Sequence, residues 1–153
     1  MKKSTIINIL LILTMLGILT STYLVKLHYS QSSSFCNIND KLNCDIVNKS
    51  QYALFPPLYG APISLLGLLN FLILFLAIIL ISKNKQFSLF KEQIDQLVLS
   101  EFIYYALLAN LLFAAYLIYI ESFVLGVFCI ICLLLDLIII LSIFFSYKLK
   151  KSS

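Results

Sequence analysis

Apolar residues fall into long unbroken blocks along this chain. They show neither the two-residue alternation of a half-buried strand nor the one-sided stripe of a surface helix. Four blocks, at residues 6–27, 62–82, 102–120 and 122–147, are each close to or above 20 residues. A hydrocarbon core of about 30 Å is crossed by about 20 helical residues, so the pattern predicts an all-α membrane protein, a bundle of four transmembrane helices. Pro62 suits the first turn of its helix, where a missing N–H does no harm. No Gly- or Ser-rich linker and no repeat divides the chain, and residues 1–153 are expected to form one domain.

Between the first two blocks lies a polar loop, residues 28–61, with a weaker pattern of its own. Residues 44–55 suit a short helix with Val47, Leu54 and Ile46 on its apolar side. Asn43 is placed to cap its start, and Pro56 and Pro57 to stop it. Such a helix would lie on the surface and cap the bundle. The last two blocks leave room only for a tight turn near Glu121, with Glu101 and Glu121 marking span ends.

Charge sets the orientation. Lys2, Lys3, Lys83, Lys85, Lys91, Lys148, Lys150 and Lys151 fall on one side of the four spans, and Lys26, Lys41 and Lys49 on the other. Eight against three satisfies the positive-inside rule with both termini cytoplasmic and the 28–61 loop outside. The chain is thus expected in the cell (inner) membrane as a multi-pass protein. With 61% apolar and 12% charged residues it is no soluble domain, for which about 25% charged is usual. The net charge of +4 is accounted for by orientation and gives no reason to expect nucleic-acid binding. The apolar run of the first span reaches Val25 without a small-x-small cleavage site, so it is read as a span and not as a removable signal peptide.

All four cysteines then lie toward the outer side. Cys36 and Cys44 are in the loop, and Cys129-Ile-Ile-Cys132 is in the fourth block. Thiols gathered on the oxidising side of a membrane point to disulfide chemistry. Residues three apart share a helical face. With a helix starting at Ser122, Cys129 would lie about 10 Å and Cys132 about 15 Å along it. A lipid-soluble quinone headgroup reaches that depth and a soluble thiol protein does not. Cys36 lies in a polar stretch able to meet such a partner. Cys44, at a helix start, would feel the positive end of the dipole, which favours thiolate. Two dithiol pairs at two depths make a relay by thiol–disulfide exchange. Four cysteines allow three pairings, and counting alone does not choose among them. Two competing readings are a structural or binding subunit with static disulfides and a zinc site. Cys-x7-Cys spacing disfavours zinc, so no metal is expected.

Cys36-x7-Cys44, Ser50 six residues on, Gly60-x-Pro62-x4-Gly67 leading into a span and the closing Cys129-x-x-Cys132 together resemble the vitamin K epoxide reductase (VKOR) family over nearly the whole chain. DsbB-type quinone oxidoreductases carry their two pairs in the opposite order. The resemblance implies a quinone-dependent thiol–disulfide oxidoreductase. Cys36 would exchange with the partner, Cys44 would pass electrons to Cys129, Cys132 would react with the quinone, and Ser50 would sit near the quinone. The electron acceptor would be a menaquinone or ubiquinone. No thioredoxin-like domain is found in these residues, so the expected partner is a separate thioredoxin-fold, DsbA-like thiol oxidase.

Polar residues inside spans are functional candidates. Asn70 and Asn110 lie about 12 and 15 Å from the outer ends of their spans. Either could hydrogen-bond a quinone carbonyl, or a neighbouring helix. Asp136, four residues after Cys132, shares its face and could supply a proton. Vertebrate members carry a tyrosine at that offset, so no family role is carried over. Phe128 could line a quinone pocket, while Tyr116, Tyr119 and Phe123 read as an interfacial belt. His28 reads as interfacial. A small transporter is disfavoured, because no pair of broken helices is evident. The orientation is checked by labelling intact cells with a membrane-impermeant thiol reagent. After reduction Cys36 should react; labelling only once the inner face is opened would reverse the topology.

Overall fold

The computed structural model describes residues 3–31, 33–56, 60–83, 87–89, 92–94 and 96–152. Lys2, Lys85 and Lys91, used above for orientation, and Pro57 lie outside them. Among these described residues, four helices are long and apolar enough to cross a membrane. They are α1 (Lys3–Tyr29), α3 (Ile63–Ser82), α4 (Gln96–Tyr119), which continues into a π-helical turn (Ile120–Leu125), and α5 (Ile130–Ser152). Helix is forced here, because in lipid every backbone N–H and C=O must find its partner within the segment. Some hydroxyls inside the spans follow suit: Thr14 Oγ1 donates to the Leu10 carbonyl at 2.8 Å, and Ser122 Oγ to that of Ile118 at 2.7 Å.

α1 lies against α3 and α5, and α4 packs mainly on α5. Three apolar clusters run along the bundle. Toward the termini, Ile6, Ile7 and Leu10 meet Leu74, Ile78, Ile103 and Leu149. Phe71, Ala114, Ile138 and Ile139 form the middle. At the cysteine end, Leu24, Leu27 and Val47 close around Cys36, Cys44 and Cys129. α1 and α3 approach closely because Gly17 offers only a hydrogen to the Phe71 ring, where a Cβ would come within 2.5 Å.

A short helix does cap the cysteine end, but α2 spans only Cys44–Asn48. The side chain of Asn43 accepts from the N–H groups of Asp45 and Ile46, which sets its start. It ends early because Ser50 turns extended (φ −67°, ψ 158°) and its hydroxyl takes up the Val47 carbonyl at 2.8 Å. A 3₁₀ turn, Gln51–Ala53, follows. Leu54, expected on the helix, instead belongs to a two-residue strand β1 (Leu54–Phe55) that pairs antiparallel with β2 (Ala61–Pro62). Pro62 therefore caps α3 from outside its first turn. Ile46 is exposed, while Cys44, Val47 and Asn48 are buried. A second small ladder, β3 (Phe87–Leu89) with β4 (Glu92–Ile94), lies between α3 and α4.

The largest departure from the sequence reading is at the last turn. The fourth span begins at Ile130, not Ser122, and the third runs on to Leu125. Gly126, in the left-handed region at φ 63°, ends the π-helical turn. Glu121 does not mark a surface turn, being only 3% exposed inside the bundle. Hydropathy could not place this boundary, because apolar residues run through it almost without a break. The Cys-x-x-Cys therefore stands at the head of α5, not 10–15 Å along a helix.

Gly17→Ala should lower the thermal unfolding midpoint in detergent, since overpacking costs about 1–3 kcal/mol. Gly67→Ala, whose Cβ would meet Ser21 Oγ at an ordinary 3.8 Å, should not. Adding Phe71→Leu to Gly17→Ala should recover much of the loss.

Candidate functional site

The site is assembled where the 28–61 loop meets the turn before α5. Lys41 and Asn43 hold that turn by its backbone: Phe128 N–H donates to the Lys41 carbonyl at 2.8 Å, and Asn43 N–H to the Phe128 carbonyl at 3.1 Å. Asn39 shapes the loop for this contact, its Oδ1 accepting from the N–H groups of Lys41 and Leu42 at 3.0 and 2.9 Å. α2 is tied to α1 from the other side. Asn48 Nδ2 donates to the Leu24 carbonyl at 2.7 Å, and His28 Nδ1 contacts the Asn48 carbonyl at 2.6 Å. A carbonyl only accepts, so the proton sits on Nδ1 of His28.

Cys36 and Cys44 form a disulfide with a Cα–Cα distance of 5.9 Å. Cys129 and Cys132 are thiols. Cys36, expected in an exposed polar stretch, is buried at 3%, while its neighbours Phe35 and Ile38 are exposed. Cys44 and Cys129 are fully buried, in the same cluster as Cys36. Cys129 is the residue whose carbonyl opens α5, accepting from Leu133 N–H at 3.0 Å. The N–H of Cys132, in the first turn, donates to Cys129 Sγ at 3.2 Å. The Cys129 N–H is in turn held by Glu121 Oε2 at 3.0 Å.

Beneath the loop is a cavity of about 480 Å³, within the usual size of small-molecule sites. Its walls are mostly apolar, including Leu24, Phe71, Phe113, Leu117 and Ile139. Cys132 lines it, and so do Ser50, Asn70, Asn110 and Asp136. Phe128 does not; it serves the site through its backbone. Five further polar residues reach the cavity, none of them expected there: Ser21, Asn48, Tyr52, Ser64 and Glu121. Serines in spans usually bond their own backbone, so nothing in the sequence marked Ser21 or Ser64. Glu121 did carry a signal, an acid in an apolar run, but it was read as a span end. Ser21 Oγ, Ser64 Oγ and Asn110 Nδ2 are buried without a hydrogen-bond partner. Among the described residues no group of three or more His, Cys, Asp or Glu could hold a metal ion.

Above the disulfide, Asp45 gathers the loop. One carboxylate oxygen accepts from Ser34 N–H at 3.0 Å and from the Asn37 side-chain amide, and Lys49 Nζ lies 3.7 Å from the other. Burial pushes the Asp45 carboxyl up, but the Ser34 and Asn37 hydrogen bonds and the Lys49 charge outweigh it and hold it below its ordinary 3.8. The stabilisation is therefore present above the unfolded value and is lost as pH falls through the lower folded one. Reduction of Cys36–Cys44 by a phosphine, followed against pH, should accelerate only below about pH 4. Asp45→Ala should reduce quickly at every pH and lose that dependence; an unchanged rate would remove Asp45 as the clasp.

No curated protein matches the chain. A family model does: that of the vitamin K epoxide reductase family, over residues 8–147. The matched stretch reaches into all four spanning helices and holds all four cysteines, both pairs and the cavity between the spans. The chain belongs to the vitamin K epoxide reductase family, and with it to a class of membrane thiol–disulfide oxidoreductases.

Proposed function

We propose that this protein takes electrons from a separate thioredoxin-fold, DsbA-like partner and passes them through Cys36/Cys44 and Cys129/Cys132 to a membrane quinone, so supporting disulfide bond formation. The observation that carries the reading is the division of the Cys-x-x-Cys. Cys129 is buried with the Cys36–Cys44 disulfide, while Cys132 lines the cavity. On this reading residues 1–153 work as one domain in the cell (inner) membrane, with the cysteine end outside and the lysine-rich termini inside.

The cavity suits a quinone headgroup in size and in its apolar walls. Asn110 Nδ2, Ser21 Oγ and Ser64 Oγ are donors without partners, and a quinone offers two carbonyl acceptors. Asn70 and Ser50 stand on the same walls, although the Ser50 hydroxyl is already given to Val47. Menaquinone and ubiquinone both meet these requirements.

Electrons move by exchange. A partner thiolate attacks Cys36 and breaks Cys36–Cys44; the partner's second thiol resolves the mixed disulfide and leaves as a disulfide. With the inner pair oxidised by an earlier quinone, the freed Cys44 attacks Cys129, breaking the Cys129–Cys132 disulfide, forming Cys44–Cys129 and releasing Cys132 as a thiol. Cys36 then attacks Cys44, so the outer disulfide closes again and Cys129 is left as a thiol. An oxidised outer pair over a reduced inner pair is also the arrangement of the structure. Finally the Cys129–Cys132 dithiol gives up two electrons and two protons, closing its own disulfide as quinone becomes quinol. Asp136 follows Cys132 by one turn and lines the cavity, which supports its carrying one of those protons.

Reduction of added quinone by the purified protein tests this. With a small dithiol as donor, Cys129→Ala and Cys132→Ala should abolish the reaction. Cys36→Ala and Cys44→Ala should lose most with a protein donor. The double variant Cys36→Ala, Cys132→Ala should accumulate a Cys44–Cys129 disulfide in non-reduced peptides. Two free thiols there under oxidising conditions would refute the route.

A further inference from the structure

The structure assigns to Glu121 a positioning role: its carboxyl fixes the backbone amide of Cys129, and so sets how the Cys-x-x-Cys divides between disulfide and cavity. The assignment deepens the reading of Cys129 and Cys132 as the quinone-facing pair, and rests on it.

Glu121 owes its place to the π-helical turn Ile120–Leu125. The wider turn, frequent at functional sites, rotates Ile120 and Glu121 inward while Tyr119, Phe123 and Val124 stay exposed. A carboxyl within a span is costly unless it is used. This carboxyl is used, and the backbone of the same residue with it. The Glu121 carbonyl accepts from Val127 N–H at 3.1 Å, and its Oε2 accepts from Cys129 N–H at 3.0 Å. One residue thus closes the turn from both ends.

The Cys129 amide needs this acceptor. Cys129 is fully buried and precedes α5, so its N–H has no carbonyl of that helix to meet. Buried N–H groups are almost always paired. Phe128, next to it, has both backbone groups committed to the 28–61 loop. The Glu121 bond therefore joins the loop clasp to the first turn of α5, where Cys132 faces the cavity. Glu121 acts on Cys129 through its amide and also lines the cavity, so the inner-pair equilibrium is the readout that isolates its positioning role.

Two conservative changes separate reach from the acid group. Glu121→Gln keeps a carbonyl oxygen at full length and removes the acid. Glu121→Asp keeps the acid and falls short by one methylene. If Glu121 positions Cys129, the Asp variant should reduce quinone with a small dithiol about tenfold more slowly than wild type or worse, and the Gln variant should be impaired several-fold less than the Asp variant. The Cys129–Cys132 equilibrium in glutathione buffers should shift several-fold in the Asp variant alone, with Cys36–Cys44 unmoved in both. Gln as impaired as Asp would make the acid group itself the active property and overturn the assignment, as would two variants indistinguishable from wild type. Wild-type protein inert toward quinone would sink the electron route, and the inner-pair equilibrium would still decide Glu121.

Discussion

Two backbone hydrogen bonds hold the functional end of this protein together. They join Lys41 and Asn43 of the 28–61 loop to Phe128 of the turn before α5. Segments almost ninety residues apart in sequence are locked in register by them, independently of side-chain identity. Because Phe128 is bonded on both its N–H and its carbonyl, Cys129 follows in a fixed place. Because Asn43 caps α2, Cys44 follows in a fixed place on the other side. The sulfurs meet in one buried cluster as a consequence of this short parallel bridge. Asn39, Asn48 and His28 are supports to it, each spending a polar side chain on a backbone group of the loop or of α1.

The bundle beneath is built on a different principle. Its helices gain little from burying apolar surface, since lipid is as apolar as their own side chains. Close contact decides the packing instead, and the Gly17–Phe71 approach is the clearest instance. Away from the cysteine end the interior is filled by Leu, Ile and Phe. Polar atoms without partners appear on the cavity walls, at Ser21, Ser64 and Asn110, and elsewhere at Ser142 and Ser146 of α5.

Much of this could be read from sequence, for reasons that differ by element. The four spans announce themselves because the bilayer demands long apolar blocks, and Asn43 announces the α2 start because few residues cap so well. The π-helical turn did not announce itself. It changes the face that Glu121 presents without changing composition, so hydropathy assigned Ser122 to the wrong helix. The depth assigned to the Cys-x-x-Cys went wrong with it. Asn70, Asn110 and Asp136 stood out as polar letters in apolar runs, and all three border the cavity. Phe128 looked like a pocket residue because it is aromatic and adjacent to Cys129, while its contribution lies in its main chain. The burial of Cys36 was hidden for a similar reason: Asp45 holds its flanks through Ser34 and Asn37, a set of contacts that polarity alone reads as exposure.

The unpartnered donors of the cavity bear on a problem any apolar chamber inside a bilayer must face, that of being flooded by the surrounding lipid. An acyl tail would match the Leu, Phe and Ile walls well. It would also leave Ser21 Oγ, Ser64 Oγ and Asn110 Nδ2 as dry as before, each a deficit of about 1–3 kcal/mol that the tail cannot relieve. An occupant bearing hydrogen-bond acceptors relieves it on arrival. If the chamber is the quinone site proposed above, it would discriminate by what the bilayer's own chains lack, three silent polar atoms keeping it available in a solvent made almost entirely of competitors.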